Sequence, residues 1–151
     1  MEKKQIEEMI DLAIRQMDYS YVPYSHFHVG AALLAKNGTY YTGCNIENAA
    51  YTPTNCAERT AFFKAVSEGV RDFQAICIVG GKDGVPTEYA APCGVCRQVM
   101  MEFCDPEEFD YPIYYQELEN AGIRNLMIEV DQESTAFEQI RTRLQTFKEI
   151  L

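Results

Sequence analysis

Long apolar runs are missing from this chain. No stretch approaches the roughly 18 consecutive apolar residues of a membrane-spanning helix, and the N-terminal MEKKQIEEMIDLAIRQMD alternates charge with apolar residues where a secretory signal is continuously apolar. The expectation is a cytoplasmic protein without a membrane partner. Glycine and proline are scarce, at 9 and 6 of 151 residues, while 47% of the residues are hydrophobic. That balance excludes a disordered or low-complexity chain, and no repeat or linker divides it, so residues 1–151 read as one domain. Basic residues are few: 13 Lys and Arg stand against 23 Asp and Glu, for a formal charge of -10. Such a field repels phosphate backbones, and no run of Lys or Arg makes a local basic patch, so no nucleic-acid partner is expected. The acid is concentrated late. Met101 to Leu151 carries twelve acidic and four basic residues, net -8, which leaves -2 for the first hundred residues. A small neutral molecule suits this chain best.

A domain of this length buries about 70% of the surface its unfolded chain exposes, so its core requires neither disulfides nor a structural metal. Six cysteines are nevertheless present: Cys44, Cys56, Cys77, Cys93, Cys96 and Cys104. In a reducing compartment they point to metal binding or catalysis rather than to disulfides.

Ile6, Met9, Ile10, Ala13, Ile14 and Met17 recur at helical spacing and predict an opening amphipathic helix. Phe27–Ala35 and Thr39–Cys44 are rich in β-formers, and the intervening Lys36-Asn37-Gly38 carries an Asn-Gly turn signal, which together predict a hairpin. A helix is expected over Ala57–Glu68 with its stop at Gly69, then a buried strand over Gln74–Gly80, a loop over Lys82–Ala91, and a second helix from Gly94 to about Phe103. Beyond Asp105-Pro106 the pattern predicts a strand at Tyr111–Tyr115, a connection at Glu117–Arg124, a strand at Asn125–Val130 and a closing helix at Thr135–Leu151. The relative direction of those last two strands stays open. The whole is an α/β domain with helices over a central sheet.

Cys93-Gly94-Val95-Cys96 places two thiols at i and i+3 across a helix start, within reach of one tetrahedral Zn²⁺. Alone, such a pair serves equally as a redox couple or as two buried cysteines. Upstream, Cys56-Ala57-Glu58 puts a third thiol two residues before a carboxylate at another helix start, and Pro92 precedes the pair. Cys or His, then Glu two on, then Pro-Cys-x-x-Cys is the pattern of nucleobase deaminases. Positions i and i+2 of a regular helix point about 200° apart, so Cys56 must stand at or before the first turn if both side chains face one site. There the helix dipoles favour thiolate over thiol, and Arg59 can offset the charge of three thiolates. Three protein ligands leave the fourth position to water, and Glu58 then carries protons; the competing reading is a structural zinc knot with an unrelated glutamate. No fourth Cys or His stands at the offset that a structural site needs. Cys44, Cys77 and Cys104 read as small buried hydrophobes. His26 and His28 are assigned no role.

The stretch PYSHFHVGAALLAKNGTYYTGCNIENAAYTPTNCAERTAFFKAVSEG, with APCGVCRQVMMEF after it, closely resembles the small single-zinc cytidine deaminases that work as homotetramers, over about two thirds of the chain. The resemblance implies a three-layer α-β-α fold with a central mixed sheet of about five strands. It implies one Zn²⁺ per chain on Cys56, Cys93 and Cys96, Glu58 as acid and base, and hydrolytic deamination of cytidine and deoxycytidine. It further implies that Asn45 and Glu47 hold the ribose hydroxyls, that Phe27 packs on the pyrimidine and that the Ala57 backbone helps orient the base. Ala49 and Tyr51 are similar to residues that reach into a neighbouring subunit's site. After Phe103 the resemblance fades: the Leu-Leu-Pro and aromatic with which the family closes its site are missing, and neither Phe137 nor Phe147 aligns with that aromatic. Two other readings stand beside the nucleoside deaminase. One is a deaminase of another aminopyrimidine or of a nucleic-acid base, and the other a non-catalytic, zinc-stabilised binding module.

Overall fold

The computed structural model describes residues 3–87, 90–103, 116–118 and 123–125. Helix α1 spans Lys3–Met17, strands β1 and β2 span Phe27–Ala35 and Tyr40–Cys44, helix α2 spans Ala57–Ser67, strand β3 spans Phe73–Lys82 and helix α3 spans Gly94–Glu102. Two short strands follow, β4 at Gln116–Leu118 and β5 at Ile123–Asn125.

Strands β1, β2 and β3 form an antiparallel sheet in the order β2-β1-β3. Residue parity divides their side chains between two layers. Ala32 and Leu34 of β1, with Ala75, Cys77 and Val79 of β3, face Met9, Ala13 and Met17 of α1. Ala31, Leu33, Ile76 and Ile78 face the opposite way, toward Ala57, Ala61 and Phe62 of α2 and Cys96 and Met100 of α3. Helices therefore cover both sides of a sheet whose central residues are wholly buried, which is the α-β-α layering expected. Among the described residues no helix is long and apolar enough to cross a membrane.

Three local features set α2 and α3 against this sheet. The hairpin turn relies on Gly38 alone, at φ +86°, while Asn37 contributes its side-chain oxygen as acceptor for the Thr39 N–H at 3.0 Å. Helix α2 ends in a Schellman motif: Gly69, at φ +88°, donates to Val66 O and Val70 donates to Ala65 O, each at 3.0 Å. Gly43 of β2 lies under the first turns of α2, where a side chain would collide with the backbone of Ala57 and Ala61. Phe62, Phe73 and Phe103 then meet edge-to-face and stacked, at centroid separations of 4.9–5.8 Å. Each such pair contributes about 0.5–1.5 kcal/mol beyond burial. The cluster ties the C-terminal end of α3 to α2 and β3, so it fixes how the two helix starts face one another.

Among the described residues the central sheet has three strands. Strands β4 and β5 form a separate antiparallel ladder, with Glu117 opposite Arg124 and Leu118 opposite Ile123 in the register. Both lie mainly in the stretch expected to be a connection. The polar, glycine-containing Glu119-Asn120-Ala121-Gly122 between them is short enough for a hairpin, and the expectation assigned too much of this segment to the link. The expected strand at Tyr111–Tyr115, most of the one at Asn125–Val130 and the closing helix at Thr135–Leu151 lie outside the described residues, as does Cys104.

Candidate active site

Cys56 is the N-cap of α2 and Cys93 the N-cap of α3, each with an extended backbone. Cys96 follows one turn into α3 and is fully buried. Their sulfur atoms all lie within 4.8 Å of one another, with Cys56 to Cys93 at 3.9 Å and Cys93 to Cys96 at 3.5 Å. A tetrahedral zinc with Zn–S bonds of about 2.3 Å holds its sulfurs about 3.8 Å apart, so the donor set fits the ion in both chemistry and spacing. Among the described residues this is the one group of three or more metal-ligating side chains.

The electrostatics agree with metal binding. Hydrogen bonding from Cys96, together with the Arg59 guanidinium, holds the Cys56 thiol down to about 5. Cys96, which donates that bond, is pushed upward by it and by burial. Arg59 Nη2 donates to Cys56 Sγ at 3.5 Å and to Thr54 O at 3.0 Å, and its buried Nε has no hydrogen-bond partner among the described residues. A cationic donor in this position can offset negative charge on the sulfur atoms.

Glu58 is the one charged residue fully buried among the described residues, at 4% exposure. Desolvation is the main cause that raises its carboxyl to about 7, with the nearby Cys56 charge acting the same way against the carboxyl's bond to its own backbone N–H. A group poised near neutrality beside a metal-binding cluster is suited to moving protons in both directions. Ala57, between Cys56 and Glu58, is wholly buried against β2.

The remaining candidate residues gather at the start of β1 and after β2. Asn45 Oδ1 accepts from Val29 N and its Nδ2 donates to Phe27 O, both at 2.8 Å. Only this amide orientation satisfies both backbone groups. Its side chain therefore extends the β1–β2 ladder by one step and retains one N–H and one lone pair for a ligand. Glu47 Oε2 accepts from Tyr24 N at 3.0 Å and Ser25 N at 3.2 Å, and hydrogen bonding from Ser25 holds its carboxyl below the usual range. Both residues anchor the turn leading into Phe27, which is half-buried on the site face of the sheet.

An isolated antiparallel bridge between Ile46 and Asn55 closes the intervening excursion, from which Ala49 projects into solvent and Tyr51, at φ +59°, is 86% exposed. Cys44 and Cys77 are buried away from the cluster, Cys44 donating to Tyr19 O at 3.3 Å. His28 Nδ1 contacts Met17 O at 3.1 Å, and neither His28 nor His26 joins the thiols.

Two supporting residues were not singled out from the sequence. Thr60 Oγ1 lies 3.0 Å from Cys44 O and 3.1 Å from Cys56 O, and it accepts from Asn55 Nδ2 at 3.1 Å. These contacts tie the residue at the helix start to β2. Polar residues flanking a helix N-terminus are the available signal, but the contact that reaches β2, from Thr60 to Cys44 O, spans sixteen residues and is invisible locally.

Fold and site together define an α/β domain in which three thiols that can hold a metal ion and a buried carboxyl gather at paired helix N-termini. The model of the cytidine and deoxycytidylate deaminase zinc-binding region matches residues 3–109, and the chain belongs to that family. It is 53% identical over 113 residues to the cytidine deaminase of Sporosarcina psychrophila, covering 75% of this chain and 78% of that one. A crystal structure of cytidine deaminase from Burkholderia pseudomallei superposes with a TM-score of 0.59 at 45% identity, over 67% of this chain and 76% of that one. The C-terminal part has a second likeness. The 2-hydroxyglutaryl-CoA dehydratase D-component model matches residues 95–151, and 52 residues are 65% identical to the lactoyl-CoA dehydratase beta subunit of Anaerotignum propionicum, 34% of this chain but only 14% of that one. The two family matches overlap on α3 and the residues just after it.

Proposed function

We propose that this chain hydrolyses the exocyclic amine of cytidine and deoxycytidine, giving uridine or deoxyuridine and ammonia. The observation that carries the reading is the buried Glu58 carboxyl held beside the Cys56, Cys93 and Cys96 cluster. Those three thiolates would hold one Zn²⁺, which when bound would supply Lewis-acid activation of water. Glu58 takes a proton from the attacking water and delivers it to the ring nitrogen beside the attacked carbon, then takes the proton of the newly added hydroxyl and passes it to the amine, which leaves as ammonia as the carbonyl forms. Arg59 offsets the negative charge of the thiolates. Phe27 packs on the pyrimidine, the Ala57 backbone orients it, and Asn45 and Glu47 hold the ribose hydroxyls with the hydrogen-bonding capacity that their backbone contacts leave.

This sugar grip makes a testable distinction among substrates. Loss of a hydrogen bond to a charged group costs about 1.5–3 kcal/mol, so Glu47→Ala raises the cytidine KM roughly 10- to 100-fold with zinc content unchanged. Free cytosine is a poor substrate of the unaltered protein. Ultraviolet absorbance assays with cytidine, deoxycytidine and cytosine check both outcomes, and efficient turnover of cytosine contradicts the ribose assignment.

The same reading makes residues 1–151 one cytoplasmic domain, with a mixed sheet of about five strands completed beyond Phe103. It also makes the protein a homotetramer in which Ala49 and Tyr51 contact a neighbouring subunit's site. Support comes from the excursion that carries them: Tyr51 is exposed at positive φ on a loop whose base is fixed by Glu47 and Asn55, next to the exposed Tyr21, Tyr24 and Ile46. Light scattering is expected to give four times the chain mass. A fully active monomer at assay concentration contradicts the shared site.

A further inference from the structure

We propose that Gly80 is a positioning residue of the nucleobase pocket, acting through the Phe27 ring; the inference rests on the deaminase reading above. On β3, Ile76 and Ile78 face α2 and α3, and Gly80 continues that row on the site face. On β1, Val29 is its register partner, so Phe27 is its diagonal neighbour on the same face. A Cβ built on Gly80 comes within 2.6 Å of Ala90 Cβ, 3.2 Å of Phe27 Cε1 and 3.5 Å of His28 O. Phe27 and Ala90 therefore converge over a place where a side chain is absent. Gly80 is not among the glycines with positive φ, which are Gly38, Gly69 and Gly84. Its backbone accommodates any L-residue, so space alone requires glycine here. Glycine in a strand interior otherwise weakens the strand, and often marks a close approach.

Two groups respond to a methyl at this position. The Phe27 ring gives by a few tenths of an ångström and Ala90 gives more, since its contact is below any normal separation. Displacement of the ring alters base binding directly. Displacement of Ala90 pushes on the segment that leads into Cys93, whose N-cap position is held separately by its own bond from Cys96 N. The effect therefore falls on substrate binding more than on the metal centre.

Steady-state cytidine kinetics on zinc-loaded wild type, Gly80→Ala and the double variant Gly80→Ala/Ala90→Gly test the assignment, with zinc content and thermal stability measured alongside. A single methyl in a binding pocket changes discrimination by about tenfold or more, so Gly80→Ala raises the KM about tenfold while kcat changes less and zinc stays stoichiometric. Ala90→Gly removes the clash with Ala90 but leaves the methyl against Phe27, so the KM of the double variant stays raised. A KM within twofold of wild type for Gly80→Ala overturns the proposal, as does a loss that follows zinc content and stability or that Ala90→Gly fully recovers. Wild-type protein that leaves cytidine unchanged overturns the deaminase reading itself, and this inference with it; active wild type indifferent to Gly80→Ala overturns this inference alone.

Discussion

Glu58→Gln leaves zinc content and fold intact and lowers cytidine turnover by about 10²–10⁴-fold, the range that general acid-base catalysis contributes. The amide matches the carboxyl in shape but cannot shuttle a proton. The same change alters stability in the opposite sense. In the folded, zinc-free protein the Glu58 carboxyl is raised from 4.5 to about 7, first by desolvation. A carboxyl with a raised folded value binds its proton more tightly in the folded state, so its contribution to stability is lost as pH rises from the unfolded to the folded value. The loss is about 3 kcal/mol, complete above pH ~7 and absent below pH ~4. Zinc-free Glu58→Gln therefore gains stability relative to the zinc-free parent between those limits, as read by urea unfolding at a series of pH values. A variant with near-normal turnover removes Glu58 from the mechanism, and parallel stability curves remove its burial penalty.

Cys93→Ala has the other large effect, on the metal itself. Cys93 is the exposed member of the trio, yet its sulfur lies 3.9 Å and 3.5 Å from the other two and also accepts from Cys96 N. Removing it leaves two thiols, one of which, Cys96, is disfavoured as a thiolate by burial and by its bond to Cys56. Zinc content is expected to fall from one per chain to near zero after dialysis, and activity with it. Elemental analysis that finds full zinc in this variant contradicts the assigned ligand set.

Much of the site-bearing fold is legible in local sequence because local rules govern it. The apolar stripe from Ile6 to Met17, the β-rich Phe27–Ala35 and the continuous Gln74–Gly80 run each report their own burial, and the observed elements differ from expectation by at most three residues at either end. Cys56 and Cys93 stand at helix starts for reasons visible in their neighbours. What local sequence does not carry is what meets it from elsewhere. The Phe62-Phe73-Phe103 cluster joins segments far apart in the chain, and the Asn45 amide is committed to backbone sixteen to eighteen residues away. The asparagine reads as a free loop polar until β1 is placed beside it.

Beyond Phe103 the described residues test the expectation only at β4 and β5. The expected strand boundaries were off at Glu117–Arg124 because short charged strands give little hydrophobic periodicity. The fading of the deaminase pattern after Phe103 coincides with the dehydratase-like match over residues 95–151, so two family patterns meet at α3. That helix still supplies Cys93, Cys96 and Phe103 to the deaminase half.

The central claim, a zinc-dependent cytidine hydrolase built on Cys56, Cys93, Cys96 and Glu58, is tested most directly by following cytidine with the full-length protein before chelation, after chelation and after restoring zinc. The account predicts uridine and ammonia in equal amounts from the zinc-loaded protein, no turnover after chelation, and recovery at one zinc per chain. Zinc-loaded protein that binds one metal per chain and leaves cytidine and deoxycytidine unchanged would contradict it.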